Sequence, residues 1–380
     1  MNSKNKIILA VVAVLAVAAI IALGIKNQMQ KQPEDGLKVG VVLPLTGDWS
    51  NFGEKMANGI KLWQKEHHEA NVSIFFEDGA GKAPNSINAF NKLVNSNGIS
   101  ACISGVSPVL LALAPLASSN KILTVNAGAT NPDIKRSSDY TFTIIPDAEV
   151  EASYIANYLA TVLNRKECFV YWKNDDSGIG MYKSFSKTYE QCGGDVVGNE
   201  SIISIDDVQN TLHKIRTNDI KTVFIPTNGE MIARVIRQAY SIGLTDVLWV
   251  GYAATESPSI VSDLKDIPVN LIFSSYAFNS EKAFSEKSQS FIEEYKKMFG
   301  ESPAYYAATC YDSIDLIFQA FNNKGDKDLK ESLLSIKQFN GVSGNLVIDG
   351  QNYVKSEMSF KMLHDGAIKS INPSLFTLKE

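Results

Sequence analysis

At 380 residues the chain is longer than one ordinary core accommodates, and two domains are the natural expectation. Hydrophobic residues make up 45% and charged residues 20%, the composition of a folded globular protein. Net charge is −5 with no basic stripe, which argues against nucleic acid as a partner.

The chain opens on a targeting segment. Lys4 and Lys6 precede an apolar stretch from Ile7 to Ile25, long for a signal-peptide core and near the length of a membrane span. Ala22-Leu23-Gly24 offers a small-residue cleavage site, and no Cys follows it to carry a lipid. Residues 1–25 therefore read as a signal peptide or as a retained signal anchor. Either way the leading positive charges place the chain after about Pro33 beyond the cytoplasmic membrane, periplasmic or extracytoplasmic. Membrane contact is then expected only through this segment. Residues 26–36 are polar and read as a linker.

From Leu37 the pattern alternates. Leu37–Leu43 predicts a buried strand that ends at Pro44-Leu45-Thr46-Gly47-Asp48-Trp49. A helix follows with Phe52, Met56, Ile60, Trp63 and His67 on one stripe. Val72–Phe76 predicts a strand and Asn85–Asn95 a helix. The stretch from Ile103 to Ile134 then reads as strand end, loop, helix, strand and loop. Its two loops are Ser104-Gly105-Val106-Ser107-Pro108 and Asn126-Ala127-Gly128-Ala129-Thr130-Asn131-Pro132. Both lie just past a strand's end, the edge of an open α/β sheet where ligands bind. The Ser107 hydroxyl, a free Gly128 N–H and the Thr130 hydroxyl suit a carboxylate held without a buried cation. The local alternative is that Ser107 caps its helix and Thr130 starts a turn before Pro132. Tyr140–Ile145 closes this series as a strand.

A second series starts at helix Glu149–Leu163. Strands are expected at Cys168–Trp172, Val196–Ile203, Thr222–Ile225, Val247–Val250 and Asn270–Ser275. Helices are expected at Ile179–Gln191, Val208–Arg216 and Glu230–Ile242. Three of these strands end in polar or small loops, which bring forward Asp175, Asp176 and Ser177, then Asn228, then Tyr252, Ala253 and Thr255. Helices Ala283–Phe299, Tyr305–Phe321 and Asp328–Ile336 follow, and Gly344–Ile348 with Met358–Leu363 read as a closing pair of strands. Two alternating series mean two α/β units with parallel sheets covered on both faces.

No GxGxxG, P-loop, HExxH or GxSxG occurs, so no cofactor is called for and nothing demands an enzyme. None of the four histidines lies in a strand-end loop, and adjacent His67 and His68 point apart on a helix, so no metal site is read. Asp78, Asp175 and Asp176 at strand ends suit acid–base work but equally suit turns. Of the four cysteines, Cys168 at a strand start and Cys192 at a helix end return to one sheet edge, where a disulfide is possible.

Taken together, the segments Val39–Gly47, Phe52-Gly53, Asn58-Gly59, Asn91–Val94, Gly128–Pro132, Arg237–Leu244, Tyr311-Asp312 and Phe339–Gly344 resemble the periplasmic leucine/isoleucine/valine-binding proteins. These are type I solute-binding components of ABC importers. The resemblance covers essentially everything after residue 36. It implies two Rossmann-like α/β lobes joined by a three-crossover hinge, with a small ligand closed into the cleft between them. Lobe 1 would be 37–146 plus 276–343, and lobe 2 would be 147–275 plus 344–380. The ligand's α-carboxylate would fall to Ser107, Gly128 and Thr130, with Phe52 and Trp49 as an aromatic wall. Lobe 2 departs from the family pattern, because Ser177 stands where an aromatic is usual and Ala253 stands where an acid meets the ammonium group.

The function implied is capture of a carboxylate-bearing solute, an amino acid ahead of its deaminated acid, for an ABC importer permease. The alternative is a sensory protein on the same fold that presents a small organic acid to a membrane receptor. Asp176 is the better candidate for the missing acid, and Glu256 reaches in only if its loop is rebuilt. Tyr252, Tyr305 and Tyr306 are further candidates for the pocket lining.

Overall fold

The computed structural model describes residues 36–174, 176–203, 208–227, 229–256, 258–279, 283–356 and 358–371. Residues 1–35, with the expected signal or anchor segment and most of the linker, lie outside the described residues. No helix among the described residues is long and apolar enough to cross a membrane.

The first sheet is built from β1 (Leu37–Leu43), β2 (Val72–Asp78), β3 (Ala101–Ser104), β4 (Leu123–Asn126) and β5 (Thr141–Thr143), in the order β2-β1-β3-β4-β5. Every neighbouring pair is parallel. Parallel neighbours need crossovers, and these are α1 (Ser50–Glu66), α2 (Ala83–Lys92), α3 (Ser107–Asn120) and the short α4 (Ile134–Ser137). Because side chains alternate along a strand, Val39, Val41 and Leu43 enter one core while Val42 enters the core on the opposite face.

The second sheet follows the same logic. Helix α5 (Ala148–Asn157) leads to β6 (Glu167–Lys173), α6 (Asp176–Gln191), β7 (Asp195–Ile202), α7 (Val208–Thr217), β8 (Thr222–Phe224), α8 (Gly229–Ser241) and β9 (Leu248–Gly251). Then come α9 (Pro258–Leu264) and β10 (Asn270–Tyr276). After β10 the chain returns to the first unit as α10 (Glu286–Phe299), α11 (Tyr305–Asn323) and α12 (Leu329–Ser335), whose apolar faces join the core of the first sheet.

The C-terminal strands differ from expectation. β12 (Asn345–Ile348) pairs antiparallel with β11 (Gln338–Asn340) and β13 (Val354–Ser356), while β14 (Met358–His364) pairs antiparallel with β10 and with β15 (Ala367–Ser370), which makes the second sheet mixed rather than wholly parallel as expected. Gly344–Ile348 and Met358–Leu363 are therefore not a pair, although they are close in sequence. The lobe boundary moves with them. Leu346, Ile348 and Val354 are buried in the first unit's core, and Thr143 of β5 bridges to Tyr353. The chain thus rejoins the second unit at β14 rather than at Gly344. The Gly341–Ser343 turn is held by buried Asp312, whose carboxylate accepts from Val342 N at 2.7 Å, Ser343 N at 2.7 Å and Ser343 Oγ at 2.5 Å.

Cys168 and Cys192 are free thiols rather than the expected disulfide. Cys168 points into the sheet's core, with its Sγ 3.5 Å from the Phe169 carbonyl, while Cys192 sits in the turn after α6 beside Asn157.

One glycine decides how α1 seats against α11. A Cβ on Gly59 would lie 2.0 Å from the Ala307 carbonyl oxygen, so only a hydrogen permits this crossing. Gly59→Ala is expected to destabilise the protein by about 1–3 kcal/mol through forced separation of the two helices. Urea unfolding measures this, and an unchanged midpoint would contradict the tight crossing.

Candidate functional site

The two hydroxyl-bearing loops lie side by side at the carboxyl edge of the first sheet. Ser104 pairs with Asn126 in register, and the Ala127 N–H donates to the Ser104 carbonyl at 2.9 Å. A Cβ on Gly105 would meet the Met56 methyl at 2.2 Å and the Gly128 nitrogen at 3.2 Å, so glycine there leaves room for Met56 beneath the neighbouring loop. Ser107 is the first residue of α3 rather than its cap. Val106 occupies the cap position and no side-chain cap bond forms. Pro108 follows in the first turn, where its missing N–H costs nothing.

The Ser107 and Thr130 hydroxyls are half-buried and have no hydrogen-bond partner among the described residues. Gly128 differs from expectation, because its N–H is not free. It donates to buried Asn126 Oδ1 at 3.2 Å, beside the Ala129 N–H at 2.8 Å. Asn126 Nδ2 returns a bond to the Ala129 carbonyl at 2.7 Å, so this one side chain shapes the loop.

An aromatic run leads away from these loops. Trp49, 56% exposed, meets Phe52 edge-on at 6.1 Å between ring centroids, and Phe52 meets Tyr306 at 4.7 Å. Tyr306 continues to Tyr305 at 5.7 Å, which stacks on Tyr276 at 3.9 Å. The Thr309 hydroxyl donates to the Ala127 carbonyl at 2.7 Å, tying the start of α11 to the carboxylate loop. Tyr276, Tyr305, Tyr306 and Ala253 line a cavity of about 640 Å³ between the two units, a size that suits a small molecule. Glu256 and Lys361 stand on its far wall as an ion pair at 2.6 Å, and Ser275 Oγ donates to Glu256 at 3.2 Å. Glu256 therefore spends its charge on a neighbouring lysine. Asp78, an earlier acid–base candidate, is occupied with the first loop, accepting from Leu45 N at 2.9 Å and Ala80 N at 2.8 Å. Asp175 and Asn228 lie outside the described residues, as do the side chains of Asp176 and Ser177.

Ala253 meets an acid that the sequence reading did not bring forward. Its N–H donates to Glu151 Oε1 at 2.7 Å, and Ser274 Oγ donates to the same oxygen at 2.5 Å. Glu151 is fully buried and its Oε2 has no partner among the described residues. Burial pushes its carboxyl up to about 7, with the bonds from Ser274 and Ala253 opposing that rise. An unpaired buried acceptor costs about 1–3 kcal/mol.

Local chemistry fixes where this acid stands. Asp147 caps α5, its Oδ1 accepting from Glu149 N at 2.9 Å and Val150 N at 3.0 Å. Lys135 holds the other Asp147 oxygen at 2.5 Å. The Ala148 N–H donates to the Thr130 carbonyl at 2.8 Å, so the helix that carries Glu151 starts against the loop that carries Thr130. One signal for Glu151 existed in the sequence. It shares the helical stripe of Ala148, Ala152 and Ile155, all buried, where an acid is out of place.

A family model described as periplasmic binding protein matches residues 36–357. The Leu/Ile/Val-binding protein homolog 3 of Brucella melitensis is 23% identical over 215 residues, covering 53% of this chain and 58% of the relative. The chain thus spans little more than half the length of the curated relatives it matches. The leucine binding protein LivK of Thermotoga maritima superposes with a TM-score of 0.75 at 22% identity, over 88% of this chain and 98% of that one. A solute binding protein of an ABC transporter from Rhodopseudomonas palustris, in complex with 3,4-dihydroxybenzoic acid, gives 0.73 at 20% identity, over 89% and 96%. At these identities the two structures speak for the fold: two α/β units of the type I periplasmic binding arrangement.

The Glu151 environment sets a pH dependence of stability. The folded state holds the Glu151 proton up to about pH 7, whereas an unfolded chain releases it near 4.5. Folded protein therefore binds more protons in that window, and the contribution of this group falls as pH rises from 4.5 to about 7. Comparing denaturant unfolding of the wild type and Glu151→Gln across that range should show a relative loss in the wild type on the order of 3 kcal/mol. Parallel curves for the two proteins would contradict the assignment.

Proposed function

Because the chain belongs to the periplasmic binding protein family, we propose that it is an extracytoplasmic solute-binding protein that captures a small carboxylate-bearing ligand between its lobes and hands it to the permease of an ABC importer. Residues 7–25 direct export in this reading, whether cleaved or kept as an anchor.

The observation that carries the proposal is the pair of half-buried hydroxyls, Ser107 and Thr130, on adjoining strand-end loops beside the N-terminus of α3. Hydroxyls without internal partners, next to a helix N-terminus, suit an anion. The ligands named for the two structural relatives, leucine and 3,4-dihydroxybenzoic acid, each carry a carboxylate. Phe52 and Trp49 form the rim of the site in this reading, and Gly128 contributes close packing against Phe52 and Met56 rather than a free N–H.

Ser107→Ala combined with Thr130→Ala removes two hydrogen bonds to a charged group, each worth roughly 1.5–3 kcal/mol. Affinity for the bound carboxylate should fall at least about 100-fold while the circular dichroism spectrum and unfolding midpoint hold. Calorimetry with unchanged affinity in the double variant would remove the carboxylate assignment.

A further inference from the structure

The structure assigns the Lys361–Glu256 ion pair as the group that selects a hydroxyl on the solute, which makes the ligand a hydroxylated carboxylate rather than a purely aliphatic one. The inference rests on the carboxylate-binding reading above and adds the chemistry of the solute's far end. Lys361 and Glu256 both line the cavity between the units. Lys361 is only 6% exposed, and its ammonium donates to Glu256 Oε1 at 2.6 Å. An ammonium carries three N–H donors, and Lys361 meets no second acceptor among the described residues. Glu256 is fixed in turn by the Ser275 hydroxyl, which donates to Oε2 at 3.2 Å and leaves lone pairs on both carboxylate oxygens.

The charge balance decides which group fits. Lys361 and Glu256 neutralise one another. A second carboxylate on the solute would face Glu256, and a cation would face Lys361, each at a cost where water is scarce. An alkyl end would expel water from Lys361 and return no acceptor. A hydroxyl accepts from Lys361 and donates to Glu256, so it satisfies both without adding charge. The rest of the lining does not compete. Burial raises the phenols of Tyr276, Tyr305 and Tyr306, which stay neutral, and Lys55 is turned to Glu301 at 3.9 Å. Tyr306 joins the cavity to the carboxylate loops, because its ring meets Phe52 at 4.7 Å and a Cβ on Gly128 would lie 3.1 Å from the Phe52 ring. A solute whose carboxylate sits at Ser107 and Thr130 and whose body follows these rings carries its far end toward the pair.

The test is calorimetry on the full chain with matched probes: ω-hydroxy acids of increasing chain length against the unsubstituted fatty acids, and p-hydroxyphenylacetate against phenylacetate. Dicarboxylates of the same lengths form a further arm. The hydroxylated member should bind at least about tenfold tighter than its partner, and the dicarboxylate should not exceed it. Lys361→Met should level each pair, and so should Lys361→Met with Glu256→Gln, which leaves no lone charge behind. Ser107→Ala with Thr130→Ala should weaken both members alike and keep the preference. A merely structural ion pair would move both members together, so the difference within a pair reports contact with the solute. Equal affinities within the wild-type pairs, a preference for the dicarboxylate, or a hydroxyl preference that survives removal of both charges overturns the inference and leaves the carboxylate reading standing. Failure of the wild type to bind any of these probes overturns both.

Discussion

Parallel strand pairing is the constraint from which this architecture follows. Strands that run the same way cannot be joined by tight turns, so each connection crosses a sheet face as a helix and returns. All five strands of the first sheet therefore end on one edge, where the loops that follow β3 and β4 lie side by side. Those loops hold the small and hydroxylated residues, Gly105, Ser107, Gly128 and Thr130. The second sheet repeats the pattern from β6 to β10, and a cavity opens where Ala253, past the end of β9, meets the tyrosines at the start of α11.

Much of the fold was legible because alternation is a local signal. Strands β1, β3, β4 and β9 are short apolar runs bounded by Gly, Pro or polar residues, and the helices between them carry clear stripes. The C-terminal strands were misread because pairing partners are a long-range property. Asn345–Ile348 was expected beside Met358–Leu363, yet it pairs with β11 and with the short β13 that lies between them in sequence, while β14 reaches back to β10. The Cys168–Cys192 expectation rested on proximity along a sheet edge and took no account of direction. Cys168 faces the core and Cys192 does not.

At the site, the loops were legible and the electrostatics were not. The placement of Ser107 and Thr130 on neighbouring strand-end loops could be read from residue type and position. Asn126 gave no such signal, because its capture of the Gly128 N–H depends on how the loop folds back on it. Glu149 and Glu151 look alike in sequence, as acids in the first turns of a helix, where the helix dipole favours them. Glu149 is that ordinary case, pulled below its usual range by Arg136. Glu151 is made different by full burial and by Ala253 and Ser274, more than 100 residues away, which donate to its Oε1.

The proposed chemistry is simple: the molecule held between the two units carries a carboxylate, which meets the Ser107 and Thr130 hydroxyls. The most direct measurement is mass spectrometry of whatever small molecule leaves the protein when it is denatured after purification without added ligand. The expected result is a single carboxylate-bearing molecule at close to one per chain. A released molecule with no carboxylate, such as a sugar or a polyamine, would contradict it.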